Sequence, residues 1–395
     1  MPDALLLTLL VAAVAIGWWL GRRERRGHAN PAQPPALTRD YFVGLNYLLN
    51  EQPDRAIEAF VAALEVNSET IDTHITLGNL FRTRGEADRA VKIHQNLLAR
   101  PTLTTAQSEQ VQLELSRDFL KLGLLDRAER LLQQLIRESG HEETRHTAKQ
   151  LLVDLFDREG EWQAALDVAH PALVRQHEEI RRAAAHWLCE LAEQARRTAS
   201  PGVARKKLRQ AIAIDPHCVR ANLLLAALAE DTARYREAIR HLMHIPEQDV
   251  AFVPVMLEPL QHAHRLLDDD AGLVACLEQL RAQAPFTSLV ILLAETRRRQ
   301  EGVQVAIDLV TDQLDRTPSL GGLDYLLDLY HHQQQAGGEP DTRIRLLKQH
   351  TRSLLQARPR HRCQRCGLAG EPLHWQCPRC RSWGTTRPIT GIEGE

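Results

Sequence analysis

The chain of 395 residues has few aromatics, 5%, and no excess of charge of either sign, with 49 Lys and Arg against 51 Asp and Glu. Near-neutrality excludes a whole-molecule attraction to nucleic acid or acidic lipid, so any basic surface must be local. β-Branched runs bounded by turn residues are almost absent, and Leu, Ala, Arg, Glu and Gln dominate: a helix-forming vocabulary. Enzyme signatures are missing too. There is no GxxxxGK[ST] phosphate loop, no GxSxG elbow and no HExxH. His141 and His146 come near the last, but five residues apart on a helix they turn to different faces. With 18 histidines in the chain, His262 with His264, His331 with His332 and His241 with His244 read as coincidences on polar helix faces. Asp268, Asp269 and Asp270 read as an exposed turn capping the next helix. Nothing here supports catalysis, and the chain reads as a non-enzyme.

Residues 4–20 form an uncharged run, ALLLTLLVAAVAIGWWL. As a helix it spans roughly 25 Å, the short end of what crosses a bilayer. Trp18 and Trp19 would sit at headgroup level, and Arg22, Arg23, Arg25 and Arg26 follow at once. That flank keeps everything from Gly21 onward in the cytoplasm, and charge after rather than before the apolar core argues against a cleaved signal peptide. Residues 1–21 are therefore expected to anchor the protein in a membrane. Residues 22–39, basic and then rich in Pro31, Pro34 and Pro35, read as an extended juxtamembrane linker.

From residue 40 to about 320 the chain repeats itself. Gly44, Tyr47, Ala56 and Ala63 recur 34 residues on as Gly78, Phe81, Ala90 and Leu97, the tetratricopeptide pattern. Two antiparallel helices nest only where one lacks a bulky side chain. The obligatory small residue recurs at Ala56, Ala90, Ala128, Ala165, Ala204, Ala238, Gly272 and Ala306, in steps of 34, 38, 37, 39, 34, 34 and 34. Gly85, Gly123 and Gly160 mark turns five residues earlier, and Pro216, Pro285 and Pro318 close repeats. The unit at Gly272 is the weakest, because Pro254 and Pro259 fall in its first helix. The expected fold is all-α: about eight repeats in a superhelix whose concave face holds a peptide or another protein. Residues 321–357 are expected to form a capping helical pair.

Residues 358–395 differ. Four of the seven cysteines, Cys363, Cys366, Cys377 and Cys380, form two CxxC pairs with ten residues between them. Each pair makes a turn that points two sulfurs at one ion. Gly367 suits the left-handed position after the first turn, and Pro378 pre-forms the second. So short a segment has no useful core of its own, and the metal must supply its folding energy, on the order of 10 kcal/mol or more. Seven arginines between Arg358 and Arg387, against the single acid Glu371, are expected to offset the thiolate charge and donate to sulfur. Trp375, Trp383, Leu368 and Leu373 are expected to pack around the site or against the last helices. Iron and zinc both accept four thiolates. Zinc-ribbon binding of nucleic acid and rubredoxin-type electron transfer are the alternative readings. Cys189, Cys218 and Cys276, lying singly in helices, read as core residues.

An anchor followed by arginines, a tetratricopeptide array, and a tail reading CxxCG, LxWxCPxCRxW and Arg387-Pro-Ile-Thr-Gly391 together resemble the lipopolysaccharide assembly protein B family along the whole chain. Leu368 stands where an aromatic is expected. The resemblance implies a rubredoxin-type iron site at the four cysteines, with zinc as the alternative, and a regulatory adaptor on the cytoplasmic side of the inner membrane of a Gram-negative bacterium. It implies promotion of degradation of the deacetylase that commits precursor to lipid A, with a membrane-bound ATP-dependent metalloprotease and other lipopolysaccharide synthesis proteins as partners. A homo-oligomer is compatible with such a scaffold, and no nucleic acid is expected. The metal site is expected to be a structural clasp on the end of the repeat stack.

Overall fold

A computed structural model describes residues 71–392 apart from 102, 170, 336–341 and 357, together with the isolated positions 18, 19, 43, 46, 47 and 55. The expected anchor at 4–20, the linker and most of the first repeat lie outside the described residues. Among the described residues no helix is long and apolar enough to cross a membrane. The chain divides into two compact units, residues 1–131 and 132–395.

In the first unit, α1 (Ile71–Thr83) and α2 (Ala87–Leu98) form a hairpin and α3 (Thr105–Leu122) packs on it. Helix α1 stops at Gly85, whose φ of 89° only glycine adopts freely. Ala90 is fully buried. Gly78 is small because His94 occupies the space beside it: a Cβ at 78 would lie 2.4 Å from His94 Nε2. That imidazole is held by Asp118, with Nδ1 and Oδ2 2.5 Å apart, and Asp118 in turn accepts from Arg82 at 2.8 Å. Thr104 and Gln107 close a reciprocal capping box on α3. Helix α4 (Leu125–Glu138) runs across the boundary between the units.

The second unit continues with α5 (Glu142–Glu159), α6 (Trp162–Ala169), α7 (Ala172–Gln176), α8 (Glu178–Arg197), α9 (Pro201–Ile214), α10 (Val219–Glu230), α11 (Tyr235–Met243) and α12 (Ile245–Gln248). A 3-10 turn at Val250–Phe252 leads into α13 (Val253–Leu266), followed by α14 (Asp270–Gln283), α15 (Thr287–Glu301) and α16 (Val303–Arg316). Ala165, Ala204, Ala238 and Ala306 are buried where paired helices approach. The left-handed turn residue recurs five positions before the packing residue, but glycine gives way to Ala199 (φ 52°), Ala233 (φ 54°) and Asp268 (φ 51°).

That offset corrects one expectation: the packing residue after Asp268 is Leu273, buried, and not Gly272. Gly272 is small for another reason. Its N–H donates to the Asp269 carboxylate at 2.9 Å, capping α14, and a Cβ there would meet that carboxylate at 2.1 Å. His264 is also corrected: it is buried, with Nδ1 3.2 Å from the Asp269 carbonyl oxygen, and not on a polar face.

The last hairpin is α17 (Leu320–Gln335) and α18 (Thr342–Gln356). A cap needs a polar outer face, yet Leu346, Leu347 and Leu354 are 54%, 56% and 52% exposed. Adjacent leucines on a helix point about 100° apart, so the doublet Leu354-Leu355 cannot turn both side chains onto α17.

The tail is not helical. β1 (His361–Cys363) lies between β2 (Ala369–Gly370) and β3 (Thr386–Pro388) in an antiparallel sheet, with Arg362 opposite both Ala369 and Arg387.

Candidate metal centre

The two CxxC turns share one backbone plan. Cys363 N–H donates to the Leu368 carbonyl (2.8 Å) and Gly367 N–H to the Cys363 carbonyl (3.0 Å). In the second turn Cys377 N–H donates to Ser382 (3.0 Å) and Arg381 N–H to Cys377 (2.8 Å). Gly367 holds the left-handed position of the first turn, φ 73°, as expected, and Arg381 holds it in the second at 58°. A side chain there is strained, so something outside the turn must hold it.

All four sulfurs lie within 4.8 Å of one another, with Cys363 3.7 Å from Cys380 and Cys366 3.6 Å from Cys377. Four thiolates about 2.3 Å from a central ion stand about 3.8 Å apart along a tetrahedron's edges. The donor set therefore fits one four-coordinate ion, and zinc and iron are equally suited to it. Burial opposes ionisation of Cys363, but the Thr385 hydroxyl and the N–H groups of Cys366 and Arg365 outweigh it and bring the thiol down to about 6. At Cys377 burial wins over the N–H groups of Cys380 and Arg379 and pushes the thiol up to about 11. At the half-buried Cys380 desolvation also opposes ionisation, yet the Ser382 hydroxyl and N–H draw it down. A cation is what would let all four be thiolates at neutral pH.

The tail lies against the middle of the helical array, not on its last helices as expected. Its hub is Asp157, at the end of α5. Oδ1 accepts the indole N–H of Trp187 (2.5 Å) and of Trp383 (2.8 Å), Oδ2 accepts Gln376 (2.9 Å), and the Asp157 carbonyl accepts Arg381 (3.2 Å). The Arg381 guanidinium is also 3.6 Å from Oδ2, which supplies the hold its backbone needs. Trp383 stacks on His186 with ring centres 5.3 Å apart and meets Trp162 edge-on at 5.7 Å. Trp375 stacks on Phe252 at 5.7 Å, under the guanidinium of Arg220 at 5.9 Å. Leu373 and Trp375 pack on the core that contains Val219, Phe252 and Met256. Among the described residues of the tail, Ile392 reaches the last hairpin, its carbonyl accepting Leu320 N–H at 3.4 Å, and Arg358 N–H donates to the Leu355 carbonyl at 3.2 Å where the tail leaves α18.

The arginines also behave differently from expectation. Besides Arg381, Arg387 pairs with Asp249 (2.8 Å) and Arg365 with Glu179 (3.2 Å), so they bind carboxylates of the helices. Backbone N–H and hydroxyl groups serve the sulfurs instead.

His186 is buried between Trp383 and Trp375, and burial, aided by the charges of Arg220 and Arg182, pushes it down to about 3. Arg220 is buried too and pairs with Glu190 (2.9 Å) and Glu193 (3.1 Å). Neither is expected from its local sequence, although a signal exists: His186 and Arg220 stand 34 residues apart, one repeat, each 13 residues before a left-handed turn residue, Ala199 and Ala233. His146, set aside as no partner of His141, meets His177 across 3.0 Å with Gln150 bonded to both.

Residues 361–388 match the family model described as a rubredoxin metal binding domain, and residues 199–254 match a tetratricopeptide repeat model. Over its whole length the chain is similar to lipopolysaccharide assembly protein B of Escherichia coli K12, 33% identical over 390 residues that cover 99% of each chain. It is also similar to lipopolysaccharide assembly protein B of Haemophilus influenzae, 32% identical over 398 residues, 98% of this chain and 99% of that one.

Proposed function

The chain belongs to the lipopolysaccharide assembly protein B family, and from that premise we propose that it is a non-catalytic scaffold regulating lipopolysaccharide assembly. The observation that carries the reading is the relationship along the entire chain, repeats and tail together. In detail, residues 4–20 would hold the protein in the inner membrane with its body in the cytoplasm. The helical hairpins would bring the lipid A pathway deacetylase to a membrane-bound ATP-dependent metalloprotease for degradation. Confinement to one membrane raises the effective concentration of adaptor and protease without any new contact.

Cys363, Cys366, Cys377 and Cys380 would hold one iron ion, or zinc, and the ion's contribution is to cross-link the two turns and so fold the tail. Trp375, Trp383 and Gln376 then fasten the tail to the helices, a role for which a redox change is not needed. Crosslinking in intact membranes, followed by identification of the captured proteins, tests the proposal. Recovery of the protease and of the deacetylase or another lipid A enzyme is expected. Recovery of neither would falsify it.

A further inference from the structure

Two cysteines outside the metal centre meet in the interior of the second unit. Cys189 on α8 and Cys218, the N-cap residue of α10, are buried, and their sulfurs are 3.9 Å apart. Two apolar core residues could sit side by side in this way, but the surroundings of the two sulfurs differ. Cys218 stands at the start of a helix, and the hydrogen bond it shares with Cys189, helped by the Ala221 N–H, draws its thiol down against burial and the nearby Asp215 carboxylate. Cys189 lies deeper, and burial pushes its thiol well up. One sulfur is suited to attack and the other to follow. Cys218 also lines a cavity of about 640 Å³ between the tail and the helices, walled by His217, Asp249, Phe252, Thr385 and Arg387. A small neutral oxidant has room to reach it there.

The geometry points to Cys189 and Cys218 as a dithiol that a hydroperoxide converts to an intramolecular disulfide. The Cys218 thiolate attacks one peroxide oxygen, the O–O bond breaks, and hydroxide leaves and takes up a proton as water. Cys218 is then a sulfenic acid. The Cys189 sulfur attacks the Cys218 sulfur, the S–S bond forms, the S–O bond breaks, and the hydroxyl leaves with the Cys189 proton as a second water. Two thiols have lost two electrons and hydrogen peroxide has gained them. Closing the gap to the roughly 2.05 Å of a disulfide falls on the turn before α10, not on the interior of a helix.

The test treats the full-length, metal-loaded protein with hydrogen peroxide under native conditions, blocks free thiols, and maps peptides without reduction. Cys276, half buried with no sulfur beside it among the described residues, serves as the internal reference. The expected result is a cross-linked peptide joining Cys189 to Cys218, two hydrogens lighter than its parts, formed at a lower peroxide dose than oxidation of Cys276. In Cys189→Ser, Cys218 should instead be trapped as a sulfenic acid by dimedone, while Cys218→Ser should leave Cys189 reduced. If both thiols stay reduced at a dose that oxidises Cys276, the proposal fails, and the native chain alone decides this whether or not the variants fold. Failure of Cys218 to react with dimedone in a folded Cys189→Ser protein would equally overturn it.

Discussion

Asp157 offers one carboxylate and one carbonyl, and between them they receive Trp187, Trp383, Gln376 and Arg381. Removing it leaves two buried indole N–H groups without their acceptor, and a buried donor without an acceptor costs about 1–3 kcal/mol. Asp157→Ala is therefore expected to weaken tail docking by roughly 2–4 kcal/mol, read as faster amide exchange across residues 361–388; unchanged protection would mean that the stacked rings hold the tail alone. His186 adds a dependence on pH. Docked, it is held neutral down to about 3; released, it takes up a proton at its ordinary value of about 6.5. Protons therefore favour the released state, and docking is expected to weaken as pH falls from about 6.5 toward 3, by about 1.4 kcal/mol per unit. Acid also strips metal from thiolates, so the diagnostic is the difference in slope between the native protein and His186→Leu, measured by exchange protection of the tail. Equal slopes would remove His186 from the account. Asp157 is not legible from its neighbours in sequence, since Trp383 lies 226 residues beyond it.

Among the elements, what was legible was what local chemistry alone decides. Ala90, Ala165, Ala204 and Ala238 are small because helices touch there, and the two CxxC turns converge because their spacing permits little else. Gly272 misled because a residue can be small either to admit a neighbouring helix or to receive a cap, and composition does not separate the two. The turns at Ala199 and Ala233 are not legible in the sequence because alanine, unlike glycine, rarely adopts a positive φ. The tail's dependence on its ion is an element-scale prediction: Cys363→Ser with Cys377→Ser is expected to release the metal and unfold residues 361–388, with most helical ellipticity retained. Metal analysis and far-UV circular dichroism check it. Because Leu373 and Trp375 share the core around Phe252, faster exchange in α8, α10 and α13 is expected to accompany the loss. Collapse of the whole array would make the tail part of its foundation, and retained metal would refute the ligand assignment.

For the molecule as a whole, an uncharged run, arginines, repeats and four cysteines, met in that order, were enough to place the chain in its family. They could not show where the tail rests. Removal of residues 1–21 is expected to move the protein from the membrane pellet to the soluble fraction with metal content and helicity unchanged; fractionation that does not change would count against the anchor. The position of the tail also has a consequence for biosynthesis. Helical hairpins can form as they leave the ribosome, since their contacts are local. Asp157 must wait for Trp383, 226 residues later. Closing a flexible loop of that length costs roughly 5 kcal/mol, a cost that the intervening helices lower by folding first and holding its ends in place. The tail, translated after the helices it docks on, thus settles after them, and until it does, each nascent chain carries the ledge of His186, Arg220 and Phe252 uncovered.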